Sequence, residues 1–379
     1  MEPQTDDPLR VVVVGGGVGA WELAFALRKL APEHTDTAVI TPGIEFHYVP
    51  SSVAAPFKAG EVFRFPLAPM AEAAHVQLVG GTVNAVDTAG HEVHTADGGS
   101  LHYDALVIAT GARRLPVLRG AIPFRGEVDI PAIEAVLEEL DRRSVRRIAF
   151  ALPGRATWSL PLYELALLTA GHVSAHAIGG VELTLVTPEE QPLAVFGGEA
   201  SAAVTDLLAR RHVTLITGSY PTGVYGGVLM LVPEQTIAVD RVICMPEARG
   251  IKIAGLPHDY DGFLPTDLLG RVDGPPDVFA VGDITNQPLK QGGIAAQQAD
   301  VVAALIARRA GADVAEPEPH RPTLRALLLT GDEPQYLESH PTGGHGGAIT
   351  AGEPPWWPGG KIAAQYLGPY LAHAEHVTS

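Results

Sequence analysis

Three small residues near the N-terminus occur at the spacing that lets a protein chain bind a dinucleotide. Gly15, Gly17 and Ala20 fit the pattern G-x-G-x-x-A, and Gly19 stands beside the third position. The first glycine allows a tight turn, the second lets the backbone approach a pyrophosphate, and the small third residue allows close helix–strand packing. Free N–H groups at the start of the following helix then bind the phosphates. The alternative is an ordinary tight turn between a strand and a helix.

The elements around this motif favour dinucleotide binding. Residues 9–14 form a valine-rich run typical of a buried parallel strand, and residues 21–30 carry leucine and alanine at helical spacing. A second strand candidate at 38–40 completes a βαβ unit. An acidic residue normally ends this strand and binds the adenosine ribose, but here Thr41 stands at that position and supplies no charge.

A second βαβ unit follows. It consists of a strand at 147–152, an apolar helix at 161–169 and a further strand at 181–186. The turn after its first strand contains no G-x-G-x-x-G, and Trp158 and Pro161 occupy positions where a pyrophosphate needs bare backbone. The sequence therefore predicts that NAD(P)H does not bind here in the usual pose.

The composition excludes several other kinds of function. The chain has 26 Lys and Arg against 43 Asp and Glu, a net charge of −17, which disfavours a nucleic-acid or anionic-lipid surface. Its one cysteine, Cys244, cannot form an internal disulfide or build a zinc or iron–sulfur site alone. We interpret Cys244 as a buried core thiol, the alternative being a peroxidatic or sulfur-accepting thiol. We interpret the C-terminal histidines, including His373 and His376, as exposed polar residues, and predict no metal site.

Two further blocks combine with the glycine motif into a three-part pattern. Residues 103–112 read YDALVIATGA, and residues 277–283 read DVFAVGD, followed by a helix at about 292–309. In this order the motifs resemble FAD proteins with two dinucleotide-binding domains, the family of sulfide:quinone oxidoreductases, flavocytochrome c sulfide dehydrogenases and type II NADH dehydrogenases. The resemblance covers about residues 9–310. Three segments resemble the sulfide:quinone oxidoreductase branch, namely residues 46–51, 290–293 and 366–371.

The resemblance implies an α/β fold with two Rossmann-like dinucleotide-binding domains and FAD as the cofactor. The FAD-binding domain is discontinuous and takes residues 1–118 and 256–315. Residues 119–255 form the second Rossmann-like domain, in which the NAD(P) site is degenerate. Residues 316–379 form a C-terminal segment.

The resemblance also implies which residues bind FAD. Asp283 would hydrogen-bond a ribityl hydroxyl, with Gly282 letting the chain pass close; the alternative for Asp283 is a helix N-cap. Val83 resembles the position whose backbone faces the adenine. The whole implied cofactor-binding set is Gly15, Gly17, Gly19, Ala20, Thr41, Val83, Ala109, Thr110, Gly111, Gly282, Asp283, Lys290, Gln291, Gly292 and Gly293.

Lys290 and His47 are the candidate catalytic residues. Residues 290–293 begin a helix, whose N–H groups and dipole would stabilise the anion formed at the flavin pyrimidine edge. Lys290 would add a full charge there, the alternative being a solvated lysine. His47 lies beside the expected flavin edge, as a proton donor or, alternatively, as a covalent flavin link.

Relatives that oxidise sulfide carry sulfur on two or three cysteines beside the flavin, whereas this sequence has no cysteine near Trp158 or Lys290. We therefore predict an FAD-dependent oxidoreductase that passes two electrons from a small-molecule donor to a quinone or other acceptor without paired cysteines. Gln297 and Gln298 are expected near the acceptor. The alternatives are an NAD(P)H-dependent flavin reductase with a non-standard loop, and a non-catalytic flavin-binding scaffold.

The start of the chain is acidic and no run of 18 apolar residues occurs, so we expect a cytoplasmic protein. Residues 356–371 are aromatic and amphipathic. In membrane-bound relatives this region dips into the bilayer, which would place the protein at the inner face of the membrane. Because only Lys361 is basic in this stretch, we favour a segment that caps the flavin domain or forms a homodimer contact.

Overall fold

The structure is a computed structural model that describes residues 7–155, 158–341, 348–352, 354–357 and 359–378, with backbone alone from 375. The described helices are α1 (Val18–Leu30), α2 (Leu67–Ala74), α3 (Ile130–Asp141), α4 (Leu160–Ala175), α5 (Gly198–Arg210), α6 (Gly292–Arg309) and α7 (Leu367–Thr378). Single 3-10 turns occur at Val49–Val53, Ala55–Phe57, Glu127–Asp129, Ala194–Phe196 and Gly282–Ile284.

The first half of the chain contributes strands β1 (Leu9–Val14), β2 (Thr35–Thr41), β3 (Glu45–His47), β4 (Arg64–Pro66), β5 (Gln77–Gly80), β6 (Val83–Asp87), β7 (Glu92–Thr95), β8 (Ser100–His102), β9 (Ala105–Ile108), β10 (Arg113–Leu115), β11 (Ile122–Pro123), β12 (Arg147–Ala151) and β13 (Glu182–Val186). The second half contributes β14 (Val213–Ile216), β15 (Tyr220–Tyr225), β16 (Val228–Val232), β17 (Gln235–Ala238), β18 (Arg241–Cys244), β19 (Glu247–Arg249), β20 (Val278–Ala280), β21 (Leu324–Leu328), β22 (Gln335–Ser339) and β23 (Ala348–Ala351).

The first large sheet is parallel, with strand order β20-β9-β1-β2-β5. Val11 and Val13 of β1 pack with α1 and α6, while Val12 and Val14 pack with the small antiparallel sheet β6-β7-β8. Burial on both faces explains the unbroken valine run. Because β20 comes from a distant part of the chain, this domain is discontinuous, as predicted.

The second large sheet is also parallel, with strand order β11-β18-β12-β13-β14. Helices α3, α4 and α5 cover one face and the hairpin strand β16 covers the other. The antiparallel pair β10–β19 lies where the chain passes between the two large sheets. The predicted α/β fold with two Rossmann-like domains is therefore confirmed, while the boundaries at residues 118, 255 and 315 remain a prediction.

The C-terminal segment contains the small sheet β21-β22-β23 and then α7, which docks on the first domain. The carboxylate of Glu22 in α1 accepts hydrogen bonds from the backbone N–H groups of Tyr366 (2.9 Å) and Leu367 (2.6 Å). The ring of Tyr370 lies 5.0 Å from that of Phe25. This agrees with a segment that caps the first domain. Within the described ranges, no helix is both long enough and apolar enough to cross a membrane.

Candidate functional site

A cavity of about 300 Å³ lies where the carboxyl ends of the first sheet face the second domain. Its walls bring together all three sequence motifs: the turn before α1, the segment after β9 and the segment after β20. The start of α6 completes the wall. The predicted residues that line the cavity are Gly17, Gly19, His47, Ala109, Thr110, Gly111, Gly282, Asp283, Lys290, Gln291 and Gly292.

The glycine turn has the geometry of a phosphate site. Gly15 has φ +132°, and a Cβ placed on it would lie 2.2 Å from the carbonyl oxygen of Ala109, so no other residue fits there. Gly17 is the N-cap of α1, and a Cβ placed on it would meet no atom within 4 Å. No side chain caps this helix and no acidic residue lies in its first turn. Its first N–H groups therefore face open space that suits an anion.

Two polar side chains at the cavity have no hydrogen-bond partner within the described chain. The Thr110 hydroxyl oxygen is buried without a hydrogen bond. No hydrogen bond to the Asp283 carboxylate is found among the described residues, and loss of hydration raises its pKa, an effect that Arg114 and Lys290 oppose. Beside them, Gly111 has φ +70° and open space around it. These unpartnered groups fit a ligand with hydroxyls, such as the ribityl chain of FAD.

The segment that carries Asp283 is fixed from behind by Gln298. The Gln298 Oε1 accepts a hydrogen bond of 2.6 Å from the N–H of Gly282, whose φ is +77°. Gln297 bonds Thr323, accepting from its N–H and donating to its carbonyl oxygen. Neither glutamine lines the cavity, and both side chains bind the protein's own backbone, so their proximity to an acceptor stays a prediction.

Lys290 is buried rather than solvated, with 7% of its surface exposed. Its Nζ donates to the carbonyl oxygen of Thr285 and lies 4.0 Å from the centre of the Phe263 ring. Burial lowers the pKa of Lys290 to about 8, while Asp283 and Asp259 act in the opposite direction. The ammonium is thus held against one wall of the cavity by protein groups.

The start of α6 is only partly open to the cavity. The side chain of Gln291 accepts a hydrogen bond of 3.0 Å from the N–H of Ile294 and donates to the carbonyl of Arg325. A Cβ placed on Gly292 would lie 2.8 Å from the side chain of Ile362. Glycine at 292 therefore lets the C-terminal segment pass directly over the start of this helix.

Five predicted residues lie outside the cavity walls: Gly15, Ala20, Thr41, Val83 and Gly293. Thr41 is buried at the end of β2, and its hydroxyl would lie 2.6 Å from a Cβ placed on Gly16. Val83 is buried at the start of β6. They support the walls or lie beside them, and their contact with a cofactor stays a prediction.

His47 lies at the mouth of the cavity, and 52% of its side chain is exposed. Its Nδ1 is 3.3 Å from a carboxylate oxygen of Glu127, which also forms an ion pair with Arg64. The imidazole is therefore held by an acidic partner on the solvent side.

Sequence reasoning missed an ion pair on the opposite wall. Glu164 in α4 has 1% of its side chain exposed, and Lys361 has 12%. The Lys361 Nζ lies 2.7 and 2.8 Å from the two carboxylate oxygens, and the N–H of Leu329 donates to one of them at 3.0 Å. Loss of hydration raises the pKa of Glu164, with Lys361 opposing. The one signal in the sequence was a charged residue in the middle of the apolar helix.

The second domain offers little to a dinucleotide. Glu189, just after β13, already accepts hydrogen bonds from Tyr163 (2.6 Å), Thr187 (2.9 Å) and Ser159 (3.1 Å). A Cβ placed on Gly154 would lie 2.9 Å from the ring of Tyr220, so this ring fills the space beside the turn. Glu189 is therefore engaged within the protein, and the Tyr220 ring lies beside Gly154 of the turn.

Cys244 is fully buried at the end of β18 and does not line the cavity. Burial, with Asp129 adding to it, raises the pKa of its thiol to about 12. A thiol in this state is a poor nucleophile. The structure agrees with a core thiol.

Only part of the C-terminal histidine group lies within the described residues. His340 contacts Thr323 at 3.2 Å and Glu338 at 3.6 Å. His373 is exposed on α7, while His345 and the side chain of His376 lie outside the described residues.

Comparison with known proteins agrees with these features. A sulfide-quinone reductase of Aquifex aeolicus is 28% identical over 291 residues, which are 73% of this chain and 62% of that protein, so the chain spans under two thirds of that relative. An NADH dehydrogenase-like protein of Mycobacterium tuberculosis is 29% identical over 299 residues, 73% of this chain and 72% of that protein. The solved sulfide:quinone oxidoreductase of Aquifex aeolicus superposes with a TM-score of 0.82 at 19% identity, over 98% of this chain and 90% of that one.

The family itself is also clear. Residues 9–148 and 164–299 match the pyridine nucleotide-disulphide oxidoreductases. FAD is the cofactor of this family, which confirms the cofactor predicted from the three motifs. The chain belongs to the pyridine nucleotide-disulphide oxidoreductase family.

Proposed function

We propose that the protein uses FAD to pass two electrons from a small-molecule donor to a quinone or another small acceptor, without paired cysteines. The observation that carries this proposal is the shared cavity. Its wall contains the open start of α1, the side chains of Thr110 and Asp283, and the buried Lys290. The same cavity is also lined by the Glu164–Lys361 pair.

We assign the binding of FAD to the groups that lack protein partners. The N–H groups that follow Gly17 would bind the pyrophosphate, and Asp283 and Thr110 would bind ribityl hydroxyls. When bound, FAD supplies two-electron redox chemistry. The protein contributes position and charge, because the fold sets the backbone of the glycine turn and of the segment that carries Asp283.

Lys290 would provide the charge that favours a reduced, anionic flavin. Its pKa of about 8 keeps the Nζ protonated at neutral pH, and its contacts with Thr285 and Phe263 hold it in place. A fixed cation in a poorly hydrated wall stabilises nearby negative charge more strongly than one in water does.

The Glu164–Lys361 pair would hold protons for the second substrate. Reduction of a quinone consumes two protons as well as two electrons, so an acceptor site needs a proton source. The pair lines the same cavity as Trp158, and the Lys361 ammonium, held by the Glu164 carboxylate, carries a proton that it can give to the acceptor. We therefore place the acceptor against this wall, in contact with the ring of Trp158.

The electron donor is constrained by what the cavity wall contains. Among the described residues that line it there is no cysteine, and Cys244 is buried elsewhere. We infer that sulfide is not oxidised here through a cysteine-bound sulfur. The engaged Glu189 and the ring of Tyr220 also argue against NAD(P)H as donor.

We propose that residues 356–371 cap the flavin site rather than enter a membrane. Trp356 is buried against Tyr336, with ring centres 5.3 Å apart, and Ile362 packs on Gly292. Trp357, by contrast, is largely exposed. The cytoplasmic location and the homodimer contact stay predictions.

Anaerobic rapid mixing of the FAD-bound protein with sulfide, a reduced quinol, NADH and NADPH tests the proposal. We expect the quinol to bleach the flavin absorbance, because the two-electron exchange with a quinone runs in both directions, and NADH and NADPH to do so slowly. Fast bleaching by NADH or NADPH would instead support a flavin reductase. Flavin that resists all four reductants would support a scaffold.

A further inference from the structure

We propose that Asp141, His172 and His176 form a zinc-binding site, which goes beyond the proposed redox function. Each of the three side chains offers a ligand atom, and these atoms all lie within 4.8 Å of one another. Two imidazole nitrogens and one carboxylate oxygen are a ligand set that zinc takes readily, with water in a fourth position. We predicted no metal site from a sequence without H-E-x-x-H or a Cys/His pair, and Asp141 joins these two histidines only in the fold.

His172 lies in the last turn of α4, and His176 follows the helix as its C-cap residue. A separation of four residues brings side chains one above the other on a helix, and the ring centres of His172 and His176 are 4.1 Å apart. Asp141 is the last residue of α3 and reaches the same point from the neighbouring helix. The site therefore joins the ends of two helices.

Hydrogen bonds already prepare the imidazoles for a metal. The Nδ1 of His176 is 2.9 Å from the backbone carbonyl oxygen of His172, an acceptor, so Nδ1 carries the proton and Nε2 keeps its lone pair. A carbonyl partner of this kind commonly orients metal-binding histidines. The Nε2 of His172 lies 2.8 Å from the Asp141 carboxylate, and a zinc ion would replace the proton between them.

The electrostatic surroundings favour a cation. Both α3 and α4 end at this point, and the C-terminal end of a helix carries partial negative charge. Of the two arginines that follow Asp141, Arg142 is paired with Glu138 at 2.7 Å, and Arg143 is exposed to solvent. Asp141 has 44% of its side chain exposed and His172 has 14%, so an ion can enter and retain a water ligand.

The site is remote from the cavity, so its ion would be structural. His172 lies eight residues after Glu164 along α4, or about 12 Å at 1.5 Å per residue. A zinc ion at the far end would tie α4 to α3 and fix the helix that carries Glu164. It would take no part in the electron transfer itself.

Zinc binding to the full-length FAD-bound protein tests the site. We expect one zinc ion per chain by equilibrium dialysis with metal analysis, together with a higher unfolding temperature. His172→Ala and His176→Ala should each weaken binding at least tenfold. Because His176 is exposed, its replacement should leave the fold intact. His34→Ala, at an exposed histidine on another surface, is the matched control and should bind zinc as the unaltered protein does.

Substitution with Co²⁺ gives a second measure, because a tetrahedral cobalt site with nitrogen ligands absorbs visible light strongly. The absorbance should appear in the unaltered protein and the control, and disappear in His172→Ala. Zinc binding that is equal in all the variants, or that is absent from the unaltered protein, would overturn the proposal.

Discussion

Removal of Lys361 should expose how much the fold depends on the buried pair. Lys361→Met keeps the length of the side chain but leaves the Glu164 carboxylate, 1% exposed, with only the N–H of Leu329 as a partner. Breaking a buried ion pair by removing one partner costs about 3–5 kcal/mol. We therefore expect the free energy of unfolding at pH 7 to fall by about this amount.

The loss should depend on pH in a definite direction. Burial already raises the pKa of Glu164, and removal of the lysine should raise it further. A carboxyl whose pKa is raised in the folded state contributes stability that is complete below its unfolded pKa and is lost as pH rises through its folded pKa. The decrease in the free energy of unfolding caused by Lys361→Met should therefore be small near pH 4 and grow toward neutral pH.

Urea unfolding followed by circular dichroism at several pH values measures this deficit. The matched control is Arg142→Met, which breaks an i,i+4 pair whose side chains are 68% and 61% exposed and should cost no more than about 0.5 kcal/mol. The double change Glu164→Leu with Lys361→Met should regain most of the stability, because no charge remains buried. A deficit below about 1 kcal/mol that is independent of pH would refute the reasoning.

Three further predictions concern the cofactor side of the cavity. Asp283→Asn should weaken FAD binding at least tenfold in a flavin-fluorescence titration, because a charge-assisted hydrogen bond is worth about 1.5–3 kcal/mol. An unchanged affinity would contradict the role of Asp283 in binding FAD. Gly15→Ala should impair folding, because the added Cβ would overlap the Ala109 carbonyl. Gly17→Ala should leave the unfolding temperature nearly unchanged and weaken FAD binding, because its Cβ would enter open space. Equal unfolding temperatures for the two variants would contradict the role of Gly15. The rate of flavin reduction should fall as pH rises through about 8, where Lys290 loses its charge. Lys290→Met should remove this inflection from the pH profile. An inflection that remains in the variant would mean that another group titrates.

Local patterns were enough to find the elements that carry the cofactor motifs. The unbroken run of buried valines in β1 and the helix at Gly292–Arg309 lie where the sequence predicted them. Each depends on a strong run of apolar residues beside a glycine turn, so the signal is contained in a few adjacent positions. The burial of Cys244 was likewise evident from the apolar strand around it.

Features that depend on distant residues could not be predicted in this way. Helix α4 was expected to end at Thr169 but continues to Ala175, and its last turn carries His172, which contacts Asp141 of another helix. The partners Glu164 and Lys361 are separated by 197 residues. The bond between Gln298 and Gly282 forms only when β20 and α6 come together in the fold. Each of these contacts joins residues from different helices, strands or segments, so the sequence pattern around either residue does not predict it.

The most direct test of the central claim is the amount of FAD that the purified chain binds. After incubation with excess FAD and removal of the free cofactor, visible absorbance and protein concentration give the stoichiometry. The shared cavity predicts one FAD per chain, with binding weakened in Gly17→Ala and Asp283→Asn. A folded chain that retains no flavin would contradict the account. Variants that bind FAD as tightly as the unaltered protein would contradict it as well.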